Sequence, residues 1–375
     1  MTNRDWFEKL VGFSESDGYE AVQSRLTVEG DELVSTVNGK RYGIGELTLP
    51  TLAELRARVN PALGQRSSAR IEVADVQKLH SEPEYEGALF QVASQFNLLE
   101  MTSETVTPER GVTGYIYDGT QGPACAMAAA AGTIYRNYLV PVGDRVGQTQ
   151  DNQLDALAGV GAALSDHIGL PVSELWNMQN GYALCTAKGL TAISHLLDTA
   201  SEEVIDELRS TLAIGLHRDV EVTDGSGRRV SQAYCSALPV AYSSHGRGSW
   251  EPFARLVLQA SYEAVMLAAV EQASCGGSNT VLLTRIGGGV FENGDDWIDS
   301  AIERAMDLVK DAGLEIIFVA HRAATPGVQA IVDSYAAAAK PTVGEVVARA
   351  QSGAKATGTR LDPAATIAAK GADRR

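Results

Sequence analysis

The sequence predicts an α/β protein, with a mixed, largely parallel sheet and helices on its faces. Three observations predict it. Apolar runs of strand length, such as GALFQVAS (87–94), NTVLLT (279–284) and LEIIFVA (314–320), alternate with longer stretches of helical spacing. The last third repeats strand, loop and helix, a succession that builds parallel sheets. Two of the strand-to-helix connections are rich in glycine, and such sheets bind ligands outside the carboxyl ends of their strands.

Residues 1–70 read as a β-rich extension. Apolar and polar residues alternate through YEAVQSRLTVEGDELVSTVNGKRYGIGEL, with turn signals at Glu29-Gly30 and Asn38-Gly39, so a small antiparallel meander is expected. TLAELRARV follows as a helix capped by Thr51. The core, 71–322, contains the buried strand 87–94, which ends in QFNLLE and leads into a long polar connection over 101–119. TQGPACAMAAAAGTIYRNYL is a helix with Pro123 in its first turn. TQDNQLDALAGVGAALSDHIG is helical with a glycine stop, WNMQNGYALC is rich in turns, and GLTAISHLLDTASEEVIDELRSTL gives one or two helices. AIGLHRDVEVT is a strand, turned at Asp224-Gly225 toward the strand QAYCSALPVAY. The loop SSHGRGS leads to a helix over 250–273, capped by Ser249, with Phe253, Leu256, Val257, Ala260, Ala264 and Leu267 at helical spacing. A second such helix starts near Asp295 and stops at Gly313. The tail, 323–375, is alanine-rich; PTVGEVVARAQSG suggests a helix, and the rest reads as weakly ordered and without chemistry.

The formal charge of −16 argues against a general nucleic-acid surface, which needs a basic face. It leaves room for a small anionic ligand, because backbone N–H groups bind phosphate without lysine. The first residues lack the apolar core of a signal peptide, and no apolar run is expected to span a membrane. A cytoplasmic protein is expected, or an effector exported by another route. The four cysteines, Cys125, Cys185, Cys235 and Cys275, form no CxxC pair, and the six histidines have no ligand spacing. Neither a disulfide framework, a metal site nor a cofactor is expected.

Three connections are expected to line one cleft: QFNLLE with its extension to YDGTQGP, SSHGRGS, and RIGGGVFENGD. In the last, Gly287, Gly288 and Gly289 follow a strand, with Val290 and the aromatic Phe291 next and a helix start just beyond. The glycines either shape a turn or let backbone N–H groups approach a pyrophosphate. The pattern is neither GxGxxG nor GxxxxGK[ST], so neither a Rossmann fingerprint nor an ATP-hydrolysing loop is expected. Asn97 and Gln95 end a strand, either as turn residues or as amides that orient a sugar hydroxyl or a water. Asp118 and Gln121 flank a glycine ahead of a helix. There Asp118 either caps the helix or positions a water. Glu100, Glu86 and Asp219 are weaker carboxylate candidates. Ser244, His245 and Arg247 stand on the second loop. Tyr117 and Phe291 either stack on a base or ribose, or pack.

FQVASQFN and LLTRIGGGVFENGDDW resemble two elements of the macrodomain superfamily. QGPACAMAAAAGTIYRNY and YCSALPVAYSS are similar to its larger, divergent MavL-like branch of ADP-ribosyl hydrolases, with poly(ADP-ribose) glycohydrolases as more distant relatives. The resemblance covers roughly 85–322 and implies a macrodomain-like fold. It implies binding of ADP-ribose, or of an ADP-ribosylated protein, with the diphosphate against Gly287 to Phe291. It also implies water attack at the anomeric carbon of the distal ribose, with Asn97 near that ribose. Asp118 enters by placement. The first loop carries no NAAN followed by glycines, and no QEE sequence occurs, so the catalytic residue and the linkage stay open. A non-catalytic reader of ADP-ribose, another nucleotide hydrolase, or a structural α/β protein are the alternatives.

Overall fold

The structure is a computed structural model, and it describes residues 6–338. Helices α1 (Trp6–Val11) and α2 (Tyr19–Ser24) precede a meander of β1 (Leu26–Glu29), β2 (Glu32–Ser35) and β3 (Arg41–Gly43), as the alternation predicted except that its first residues, YEAVQS, form α2. Next come β4 (Glu46–Thr48), α3 (Leu52–Arg58), β5 (Ser68–Val73), α4 (Val76–Ser81) and β6 (Leu89–Ala93). The middle holds α5 (Gln121–Ala128), α6 (Ala130–Tyr138), the short hairpin β7 (Pro141–Val142) and β8 (Arg145–Val146), α7 (Ala158–Ile168), α8 (Val172–Leu175), the hairpin β9 (Trp176–Gln179) and β10 (Tyr182–Cys185), α9 (Ala187–Thr199) and α10 (Glu202–Ser210). The last third is β11 (Gly215–Glu221), β12 (Arg229–Cys235), α11 (Arg247–Ser274), β13 (Thr280–Leu283), α12 (Asp295–Leu308), β14 (Glu315–Ala320) and α13 (Pro326–Ala338).

One seven-stranded sheet organises the chain, in the order β4-β11-β12-β6-β13-β14-β5. The run from β12 to β5 is parallel, and β11 is antiparallel to both of its neighbours. The mixed α/β architecture is therefore the one the sequence predicts. Helices cover both faces. On one, Gln232 of β12 donates to Cys125 O of α5, and Tyr234 lies under Arg136 of α6. On the other runs α11, whose Tyr262 donates to Thr284 O just past β13. By length and composition α11 could cross a membrane, contrary to the expectation of no such run, but 89% of its most apolar window is buried inside the protein. It is a core helix, packed against α3, α9, α10 and α12.

Several expectations need correction. The boundary at residue 70 falls inside β5. β4 and β5 are the two edge strands of the central sheet, so the sheet draws on residues assigned to the extension. The described residues before β4 lie outside this sheet and pack through Phe7, Val11, Val22 and Leu33 against Ala130, Ile134 and Tyr138 of α6. The alanine-rich helix splits into α5 and α6 at Ala129, which leaves helical geometry at φ −111° and ψ 57°. The long helix starts at Arg247 after Gly246, so Ser249 lies inside it and caps nothing. WNMQNGYALC is a hairpin, because Asn180 and Gly181 take the positive φ of a tight turn (47° and 79°). Within the tail, 326–338 is a helix packed on β5 and α12. The helix suggested by PTVGEVVARAQSG lies outside the described residues. Thr51 does cap α3, in a reciprocal box with Glu54.

The core depends on α11. Phe253 is fully buried and stacks on Trp176 of β9, with ring centroids 5.5 Å apart. Phe253→Ala is expected to destabilise the protein by about 3–5 kcal/mol, the usual cost of emptying an aromatic site, as read by denaturant titration.

Candidate functional site

The cleft lies at the carboxyl ends of β6, β12 and β13, where the parallel order places it. It is a cavity of about 250 Å³. Residues from three connections meet there: stretches of 93–102 and 118–123 between β6 and α5, Cys235, Ala237 and Tyr242 from the end of β12 onward, and stretches of 284–291 after β13. The second predicted loop, SSHGRGS, stays out of it. Tyr242, just before that loop, lines the cavity, but Ser244, His245 and Arg247 do not.

Of the predicted residues, the cavity brings together Gln95, Glu100, Asp118, Gln121, Gly287, Gly289, Val290 and Phe291. Two of these are committed to the protein. Gln95 accepts from Met101 N (2.7 Å) and donates to Met101 O (3.2 Å), which closes the loop 95–101. Gln121 accepts from Ala93 N (2.9 Å) and donates to Gln91 O (2.8 Å), tying α5 to the end of β6. Asn97 is a correction: it is fully buried and outside the cavity. Its amide donates to Gln153 Oε1 (2.9 Å) and its oxygen accepts from Leu99 N (3.1 Å). That bond braces Leu98, which has φ 63°. Asp219 lies at the β11 irregularity and pairs with Arg229 at 2.9 Å, and Glu86 lies before the amino end of β6, opposite the cleft; neither lines the cavity.

The glycines differ among themselves. Gly287 has φ 76°, and a Cβ there would stand 2.5 Å from Ala237 Cβ. Asn293 fixes the loop from below: its N–H donates to Gly287 O (2.9 Å) and its amide to Leu238 O (2.8 Å). Gly288 is exposed and lies outside the cavity lining, so its predicted contact role is not supported by its placement. Gly289 has open space where a Cβ would go. Among the described residues, the N–H groups of Gly289, Val290 and Phe291 have no backbone partner, which leaves them as donors.

The expected helix N-terminus after this loop is already occupied. Asp295 and Asp296 fill the first turn of α12 and pair with Arg285 and Arg255. The helix start that faces the cavity is instead that of α5, through Thr120, Gln121 and Gly122, with no side-chain cap. Gly122 permits the approach, because a Cβ would collide with Ala93 O. Arg285 also lines the cavity, held by Asp295 (2.6 Å) and Asp299. An aromatic wall closes one side: Phe291, Tyr182 and Tyr242 pack with centroids 5.0–5.6 Å apart.

Two carboxyls share the cavity. Asp118 is partly exposed and accepts from Thr120 N (2.9 Å), which starts the turn into α5. Glu100 is almost fully buried, and neither of its oxygens has a hydrogen-bond partner among the described residues. The guanidinium of Arg136 lies 3.8 Å away. Burial pushes Glu100 up to about 8, against the opposing pull of Arg136; the charge of Asp118 adds to the rise. One carboxyl is thus held protonated at neutral pH beside another that faces solvent. The sequence ranked Glu100 behind Asp118, and it did not single out Arg136, Tyr182, Tyr242 or Arg285.

Two outcomes follow from this geometry. Gly287→Ala is expected to destabilise the fold by about 1 kcal/mol or more, and Gly289→Ala by under about 0.5 kcal/mol, in thermal unfolding. The second concerns pH. An unfolded glutamate ionises near 4.5, whereas Glu100 holds its proton to about 8. The folded state binds more protons across that window, so this group lowers stability as pH rises through it. Glu100→Gln removes the effect. Its melting temperature relative to the parent should rise from pH 4.5 to pH 8 and then level off.

No family model matches the chain, and no curated protein matches it. Solved structures similar to it include a poly(ADP-ribose) glycohydrolase from Deinococcus radiodurans in complex with ADP-ribose, 11% identical with a TM-score of 0.42 over 79% of this chain and 95% of that one. Another is the poly(ADP-ribose) glycohydrolase from Thermomonospora curvata, 11% identical with a TM-score of 0.37 over 86% and 97%.

Proposed function

We propose that this protein binds ADP-ribose and hydrolyses the glycosidic bond of ADP-ribosyl groups, removing them from modified protein. The observation that carries the reading is the pairing of a protonated, buried Glu100 with a solvent-facing Asp118 in a cavity bounded by the amide donors of 289–291. The macrodomain resemblance of the two loops supports it.

In this reading the diphosphate lies against the N–H groups of Gly289, Val290 and Phe291, with Arg285 as the nearby cation. Phe291, Tyr182 and Tyr242 offer apolar faces to ribose and base. The distal ribose reaches the floor between Asp118 and Glu100. Asp118 orients a water and takes its proton as that water attacks the anomeric carbon. The carbon–oxygen bond to the leaving group breaks, and Glu100 gives its proton to the departing oxygen. The positive charge that develops on the sugar is offset by Asp118. Val290 and Tyr117 are exposed beside the cleft, which suits a leaving group attached to a protein.

ADP-ribose is expected to raise the melting temperature, since a ligand selective for the folded state stabilises it by mass action. No shift at millimolar ADP-ribose would remove the reading. Glu100→Gln should leave that binding intact and lower turnover of ADP-ribosylated protein about 10²–10⁴-fold. The parent's turnover should fall as pH rises past about 8, because the acid form of Glu100 is then lost. Binding without turnover at any pH would instead identify a reader of ADP-ribose.

A further inference from the structure

We propose that Glu15 of the N-terminal segment is a positioning residue for both cleft carboxyls, so that this segment is a working part of the site; the inference rests on the function proposed above. Glu15 sits in the single turn between α1 and α2. Its carboxylate reaches across to a distant stretch of chain. It accepts from Val112 N (2.8 Å), Thr113 N (2.7 Å), the Thr113 hydroxyl and Tyr138 OH (2.8 Å). Val112 and Thr113 open the tight turn Thr113–Tyr117, and the next residue is Asp118. Within that turn the buried Tyr115 hydroxyl accepts from Glu100 N (3.0 Å). One carboxylate therefore anchors the turn that presents Asp118 and grips the backbone of Glu100. Gly111 leaves room for it: φ is 78°, and a Cβ there would strike the Glu15 carboxyl group.

A second line runs from the same segment. Ile44 O accepts from His217 Nε2 at 2.6 Å. With that proton placed, His217 Nδ1 is an acceptor, and Arg136 Nη1 lies 3.3 Å from it. Arg136 in turn faces Glu100. Apolar packing of Phe7, Val11 and Val22 already attaches the segment to α6. A carboxylate with four donors is not needed for attachment, and charge-assisted bonds of this kind fix geometry.

The test compares Glu15→Ala, Glu15→Gln and Gln23→Ala with the parent. Gln23 supplies another anchor of the segment, to Tyr138 O (2.7 Å) and Val146 O (3.1 Å), away from the turn. With ADP-ribosylated protein as substrate, Glu15→Ala should lower kcat about 10–100-fold, the scale of a misplaced catalytic group, with KM nearly unchanged. Glu15→Gln keeps one acceptor and should recover part of the loss; it carries the comparison alone if Glu15→Ala does not fold. Gln23→Ala should lower the melting temperature and leave kcat unchanged. Amide hydrogen exchange at Val112 and Thr113 should quicken in the Glu15 variants and not in Gln23→Ala. An unchanged kcat in folded Glu15 variants, or an equal loss in Gln23→Ala, overturns the proposal. If the parent has no turnover, the functional reading fails by itself. Exchange at 112 and 113 then decides: unchanged protection in the Glu15 variants overturns the clamp, and faster exchange confined to 112–118 supports it.

Discussion

The buried guanidinium of Arg136 is the constraint on which the rest of this site depends. A full charge with no solvent exposure is tolerated only when its donors are satisfied. Here they are met by neutral groups from several elements: Leu98 O at 3.1 Å, Thr133 Oγ1 at 3.1 Å and His217 Nδ1 at 3.3 Å, with the Tyr234 ring at 3.8 Å. His217 can serve as an acceptor because burial holds its imidazole neutral, down to about 3. These bonds pin the loop after β6, helix α6 and strands β11 and β12 to one centre. They also use up the cation. Glu100 stands near it without a hydrogen bond, so the desolvation of the carboxyl outweighs the attraction.

Much of this architecture was legible in the sequence, because parallel strands buried on both sides must be short apolar runs. The strands 87–94 and 279–284, the cap at Thr51 and the helix near Asp295 all follow local rules of period and cap. So did the meeting of the first and third loops, since parallel strands end at one edge. What stayed hidden depends on contacts across long separations. Glu100 is only the polar end of QFNLLE until α5 and Arg136 enclose it. Asn97 has the composition of an exposed turn residue, yet the left-handed Leu98 folds the loop over it. The N-terminus of α12 looked available because side-chain pairing to Arg285 and Arg255 cannot be read from spacing.

The glycine loop shows how little of a run's composition fixes its role. Three identical residues occupy three environments: a strained and crowded turn at Gly287, an exposed position at Gly288, and open space at Gly289. Only the first requires glycine on conformational grounds. Its shape is held by Asn293, whose buried amide ties the loop to the segment after β12. The donors of 289–291 are therefore presented by a braced backbone, which reduces the ordering cost of any anion that binds there.

The sheet's two edges have a consequence for how the chain comes into being. β4 pairs with β11 and β5 with β14, so both outer strands are made early and their partners late. During synthesis from the amino end, β4 must wait for the stretch beginning at Gly215, and β5 for the one beginning at Glu315. At ribosomal speeds that delay is on the order of ten seconds or more. Neither strand has its sheet partner in the meantime, and an unpaired strand is a template for the wrong neighbour. β4 is short, at three residues, and β5 alternates charge in Arg70 and Glu72. Both features make premature pairing weak, so the last pieces of the sheet to dock are the ones best able to wait.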